Sequence, residues 1–231
     1  IYTIAYTLSL HDALRSSIQT NVDHQVNLVY SNGDTTPVVF WDGGEASLHQ
    51  NGKIDGGDGI WSLPANTNWT DQTGAVNGAW TNGAFAIFTA KPGTVRVDDS
   101  AGDIIADGMQ FAVDGYKVTG DAITLSGDNV PVIRVDGGAT AVVESELRGS
   151  MGLRKTDYGT LVLAGDNSYS GGTTVNEGVL QLGNGGTTGS IKGDVTLAKT
   201  DHDVGTLAFN HSNAFTFSGN ITGAGNVIQN G

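Results

Sequence analysis

The stretch from Lys155 to Gly186 reads KTDYGTLVLAGDNSYSGGTTVNEGVLQLGNGG, and its rhythm decides the fold class. Leu161 with Leu163, and Leu180 with Leu182, recur at every second position, the period of a strand with one buried face. Each short apolar run stops at Gly, Asn or Asp, residues that favour turns. GTLVLAGDNSYSGG at Gly159 to Gly172 is echoed by GTLAFNHSNAFTFSG at Gly205 to Gly219. Both copies open on Gly-Thr-Leu, pass through an apolar strand, reach an Asn and an aromatic, and close at Ser-Gly. A sandwich or barrel would call for two-residue hairpin turns between equal strands. A parallel β-helix calls for internal similarity and short strands joined by Gly-rich corners. The similarity favours the solenoid.

Working outward, the same alternation pairs Val95 with Val97, Ile123 with Leu125, Ile133 with Val135, Val195 with Leu197, Leu207 with Phe209 and Phe215 with Phe217. Met109, Phe111 and Val113 likewise share a face. No stretch has a convincing helical period. Upstream of Gly83 the pattern loosens, and Trp41, Trp61, Trp69 and Trp80 all fall within 40 residues. They predict a local aromatic core that closes the start of the solenoid, since an open end needs covering. Stacking on sugars is their other use. Ser31-Asn32-Gly33-Asp34 reads as a turn. A turn of about 20 to 25 residues gives seven to nine turns after the first segment.

Composition narrows the function. Glycine supplies 35 of 231 residues, while Glu and Lys are scarce, so a helix bundle is excluded. Net charge is -13, and the 11 basic residues are scattered. Nucleic acid is therefore not an expected partner, since it demands clustered Lys and Arg. Without cysteine there is no disulfide framework, thiol nucleophile or Cys-based zinc site.

No catalytic constellation stands out, and no catalytic, cofactor-binding or metal-ligating residue is assigned. Gly149-Ser150-Met151-Gly152 falls one residue short of a nucleophile elbow. His11, His24, His49, His202 and His211 lack a metalloprotease spacing or a partner serine. Asp55-Gly56-Gly57-Asp58-Gly59 lacks the ligand spacing of a calcium loop and reads as a polar turn. Asp201-His202-Asp203 reads as a solvated loop. Glu144, Glu146 and Arg148 share one face of a strand with Val143 and Leu147 opposite. Two carboxylates at that spacing suit an inverting glycosidase, which makes them the best enzymatic alternative. Compensating charges on an outer strand are the plainer reading.

The quoted stretch resembles the autotransporter-associated β-strand repeat of bacterial type V passengers. The resemblance rests on Lys155-Thr156, Gly159 to Leu163, Asn167, Tyr169, Ser170 to Thr174 and Gly178 to Gly183. It implies a right-handed parallel β-helix displayed on the cell surface, exported by a C-terminal outer-membrane β-barrel that lies outside this sequence. It also implies a non-enzymatic adhesin or self-association scaffold, whose partners are other copies of itself or host and surface glycans or proteins. A β-helical stalk presenting another domain is a further alternative. Residues 1–17 resemble a translated sequencing adapter, with TLSLHDAL at Thr7 to Leu14 its most recognisable part. The expected organisation is then a non-native segment at 1–17, an irregular Trp-rich part at 18–83, and β-helix turns at 84–231 with the repeat at 155–186. The sequence is expected to be a piece cut at both ends.

Overall fold

A computed structural model describes residues 16–19, 22, 27–30, 36–64 and 66–231. Nearly all of the adapter-like segment, the turn at 31–34, His11 and His24 lie outside the described residues. Apart from a short 3-10 turn at Ala46–Leu48, the regular elements are strands. They build a parallel β-solenoid of about 6 turns.

Two long sheets run the length of the solenoid. The 8-stranded sheet starts at Gly59–Ser62 and continues through Thr94–Asp98, Lys117–Gly120, Thr140–Val143, Thr160–Leu163, Gly178–Gly186 and Gly205–His211 to Asn226–Gln229. The 12-stranded sheet carries the intervening strands, among them Ala84–Phe88, Ile104–Phe111, Val132–Val135, Leu153–Thr156, Thr173–Val175, Val195–Leu197 and Ile221–Gly223. A short third face pairs Ile123–Leu125 with Ile104 to Ala106 on one side and Leu147–Arg148 on the other. Every named strand pair beyond residue 90 is parallel. An isolated bridge between Lys199 and Val204 runs the other way.

Register turns the sequence alternation into columns. In the 8-stranded sheet Val95, Val118, Val143, Leu163, Leu182 and Phe209 stand side by side from turn to turn. A second column runs Ala141, Leu161, Leu180, Leu207. All are buried, so like packs on like in one continuous core. The echoed Gly-Thr-Leu segments occupy this same sheet two strands apart at equivalent register positions, which is the structural meaning of their similarity.

Parallel pairing begins within the Trp-rich part. Val38–Trp41 lies beside Ala84–Phe88, and Gly59–Ser62 beside Thr94–Asp98. Here the path from one turn to the next is longest, from Val38 to Phe85, because Trp69–Thr70 and Asn77–Gly78 form antiparallel strands inside it. That excursion is one reason there are fewer turns than sequence arithmetic suggests.

Candidate functional site

The four tryptophans are core, as the sequence predicts. Trp41, Trp61, Trp69 and Trp80 are buried and pack as a cluster around Phe88. Trp61 meets Trp69 at 5.0 Å and Trp80 at 4.7 Å, both edge to face, and Trp41 meets Trp69 the same way at 5.1 Å. The Trp41 indole donates to the Gly57 carbonyl at 2.8 Å. The indole nitrogens of Trp61 and Trp69 have no conventional acceptor among the described residues. Both rings pack edge-on against neighbouring indoles. No ring face is offered to a sugar.

The outer faces divide by region. On the 12-stranded sheet one outward column runs Phe85, Gly108, Val132, Arg154, Thr174, Thr196, Thr222. Its early members join Phe40 and Ile87 in a second apolar cluster, closed over by Val22 and Ile54. A Cβ on Gly108 would stand 2.7 Å from the Phe85 ring, so only glycine lets that ring lie flat on the sheet. The later members are polar, and the hydroxyls of Thr196 and Thr222 lie 3.3 Å apart.

Each of the charges named as a glycosidase pair has a contact of its own. Val143, Ser145 and Leu147 are buried, so Glu144, Glu146 and Arg148 do share the outer side. Each is tied to a turn other than its own. Glu144 pairs with Lys117 at 2.7 Å, Glu146 accepts from the Ser168 hydroxyl, and Arg148 reaches Asp103 at 3.0 Å and Thr124 at 3.0 Å. These contacts tie one turn of the solenoid to others.

The remaining motifs are corners. Asp58 accepts from the Thr94 amide at 2.7 Å and Asp55 from Asn51. Gly56 has φ +69, and a Cβ there would stand 2.5 Å from the Tyr116 hydroxyl. The motif is therefore a close-approach corner. Tyr116 donates to the Thr89 and Lys91 carbonyls, and burial pushes its ionisation up. Asp203 accepts from Thr200 and from the Tyr158 hydroxyl. His49 bonds the Gly43 carbonyl at 3.0 Å, while His211 stacks on Phe215 at 4.1 Å. Among the described residues no three His, Asp or Glu side chains group as a metal site.

One cluster escaped the sequence reading. Lys155 is fully buried, in an inward column whose other members include Met109, Ile133, Val175 and Leu197. Its ammonium donates to the backbone carbonyls of Asp157 and, at 3.1 Å, Glu177. Around it Arg134 bridges Asp136 at 2.8 Å and Asp157 at 2.5 Å, and Glu177 accepts from the Asp157 amide at 2.9 Å. Burial holds the Lys155 ammonium down at about 8 and pushes the Glu177 and Asp136 carboxyls up. The signal was present, because alternation places Lys155 on the same face as Leu153.

Residues 153–182 match the passenger-associated-transport-repeat model. The chain is autotransporter passenger sequence. Such a passenger belongs on the bacterial surface, anchored at the outer membrane. The passenger stretch is 40% identical, over 93% of its length, to the adhesin BmaC autotransporter of Brucella suis biovar 1 (strain 1330), and it spans 7% of that relative. No solved structure matches it. Within the passenger, the matched block spans Leu153–Thr156, Thr160–Leu163, Thr173–Val175 and the start of Gly178–Gly186, so it contains Lys155, Asp157 and Glu177, while Arg134 and Asp136 precede it.

Proposed function

We propose that this passenger stretch is a non-catalytic, adhesive part of a surface-displayed autotransporter. The observation that carries the reading is the way its surface charges are used: Glu144, Glu146 and Arg148 are each consumed in ties between turns. What faces outward on the later turns is a register-aligned polar column, Arg154, Thr174, Thr196 and Thr222. A long face of repeated hydrogen-bonding groups suits weak contacts multiplied along its length, giving avidity without a single hot spot. Its partners are other copies of the passenger, or glycans and proteins on a host or other surface. Similarity to a protein named as an adhesin supports the same reading.

The net charge of -13 opposes self-contact at long range, so screening salt strengthens association between copies. The test is display of the intact passenger on a non-adherent bacterium, scored for clumping and surface attachment across ionic strength. Clumping or attachment that grows with salt supports self-association. Absence of both, with polysaccharide cleavage by the purified chain that is lost on Glu144→Gln or Glu146→Gln, replaces the adhesive reading with an enzymatic one.

A further inference from the structure

The inward pattern of the repeat leaves one ambiguity. Slipping a strand by one residue along its neighbour turns its apolar face outward and is heavily disfavoured. Slipping it by two keeps every apolar residue inside. Around the repeat the inward pairs are Leu153 and Lys155, Thr173 and Val175, Val195 and Leu197. With an aliphatic residue at 155, a two-residue slip would exchange one small apolar contact for another at little cost.

Lys155 breaks that degeneracy. Its ammonium has two carbonyl acceptors, Asp157 O on its own corner and Glu177 O on the corner of the next turn. The seat is shaped for it. Gly178 follows Glu177 with φ +65, and a Cβ there would stand 2.6 Å from the ammonium and 2.5 Å from the Asp157 carbonyl. Asp157 itself holds φ +64, an unusual conformation for a non-glycine residue, with its amide on Glu177 and its carboxylate on Arg134. These partners meet only when Lys155 stands beside Val175. A two-residue slip moves Glu177 and its glycine away and leaves a cation in the apolar core with half its acceptors gone.

We propose that Lys155, seated against Asp157, Glu177 and Gly178, is a register pin that selects the native pairing of the repeat turn over two-residue slips. The role is selection rather than added stability. Buried ion clusters replaced by well-packed apolar residues commonly hold or gain stability, while buried polar groups fix register in coiled coils.

The chain has no cysteine, so pairs can be introduced to report register. Arg154 and Thr174 stand in register on the outer face. Arg154→Cys with Thr174→Cys therefore reports the native pairing, and Arg154→Cys with Asn176→Cys the slipped one. Each pair is placed in the 231-residue chain with Lys155 kept, or changed to Met, or to Gln, which retains an N–H donor. The chains are refolded from urea and oxidised at a fixed time.

With Lys155 or Gln the native pair should cross-link and the slipped pair should not. With Lys155→Met the slipped pair should rise at least about tenfold, corresponding to the loss of one factor of ten in selectivity, while the chain still folds cooperatively. Unchanged cross-linking in the Met variant overturns the proposal. Failure of the Met variant to fold also overturns it, since the lysine would then be supplying stability and not choosing between registers.

Discussion

The Trp-rich first turns and the repeat turns solve the same problem by different means. Both stack strands in parallel, and both bury everything that points inward. The first turns do it with volume: four indoles and Phe88 meet in edge-to-face and tilted contacts. They also carry a second apolar layer outside the sheet, where Phe85 lies over Gly108 beneath Val22 and Ile54. The repeat turns use repetition instead. Their core is a column of Leu and Val, their outer face is Thr, and their corners are Gly and acid–base pairs. An aromatic cluster must be shaped, whereas a repeat need only match its neighbour. The contrast follows from a solenoid turn touching only the turns on either side.

The sharpest way to break the repeat half is Leu163→Asp. It sets an unpaired carboxylate between Val143 and Leu182 in the middle of the main column. A loss of more than about 5 kcal/mol is expected, enough to abolish cooperative unfolding in a urea titration. Nearest-neighbour stacking predicts that hydrogen exchange then speeds up first in the turns flanking residue 163.

Trp61→Ala tests the aromatic cluster. Removing a fully buried indole that touches Trp69, Trp80 and Phe88 should cost about 4 kcal/mol. Exchange protection should fall in the strands Val38–Trp41, Gly59–Ser62 and Ala84–Phe88 and stay high at Thr160–Leu163. Equal loss in both halves would mean that aromatic cluster and repeat unfold as one unit.

Burial of Lys155 in the repeat also sets a response to pH. Lys155 is held at about 8 against an ordinary value of 10.5. Between those values the unfolded chain binds more protons than the folded one, so stability rises with pH across that window. The gain should be about 2 kcal/mol, and Lys155→Met should remove it. Above about pH 10 the sign reverses, because burial keeps Tyr116 and Tyr169 neutral while their unfolded counterparts ionise. Chemical denaturation from pH 7 to 11 should therefore pass through a maximum in the wild type and lose its rising limb in the variant.

The smallest effect belongs to the outer column. Thr196→Val removes one exposed hydroxyl from the Thr174, Thr196, Thr222 row and should change stability by no more than about 0.5 kcal/mol. If this face is adhesive, the same change in the intact displayed passenger should weaken cell attachment without altering thermal unfolding.

Much of this molecule was written in its sequence. Alternating Leu and Val at 161, 163, 180 and 182, punctuated by Gly and Asn, admits few folds, because period two fixes which face is buried and the echo at Gly205 fixes the stacking. The clustering of the tryptophans pointed to a shared aromatic core, since large rings with no strand rhythm need a place to converge. The tertiary structure alone decided the rest. Glu144 and Glu146 have a spacing that suits catalysis, yet spacing along one strand cannot show that Lys117 and Ser168, on other turns, claim them. Phe85 and Ile87 point away from the main core and are buried all the same, because residues far away in sequence cover them. Lys155 entered the sequence reading only as a letter of the repeat motif. Only stacking brings the carbonyls of Asp157 and Glu177 together beneath a glycine and makes a buried cation tolerable, since a period read along one chain carries no information about what the next turn places beside it.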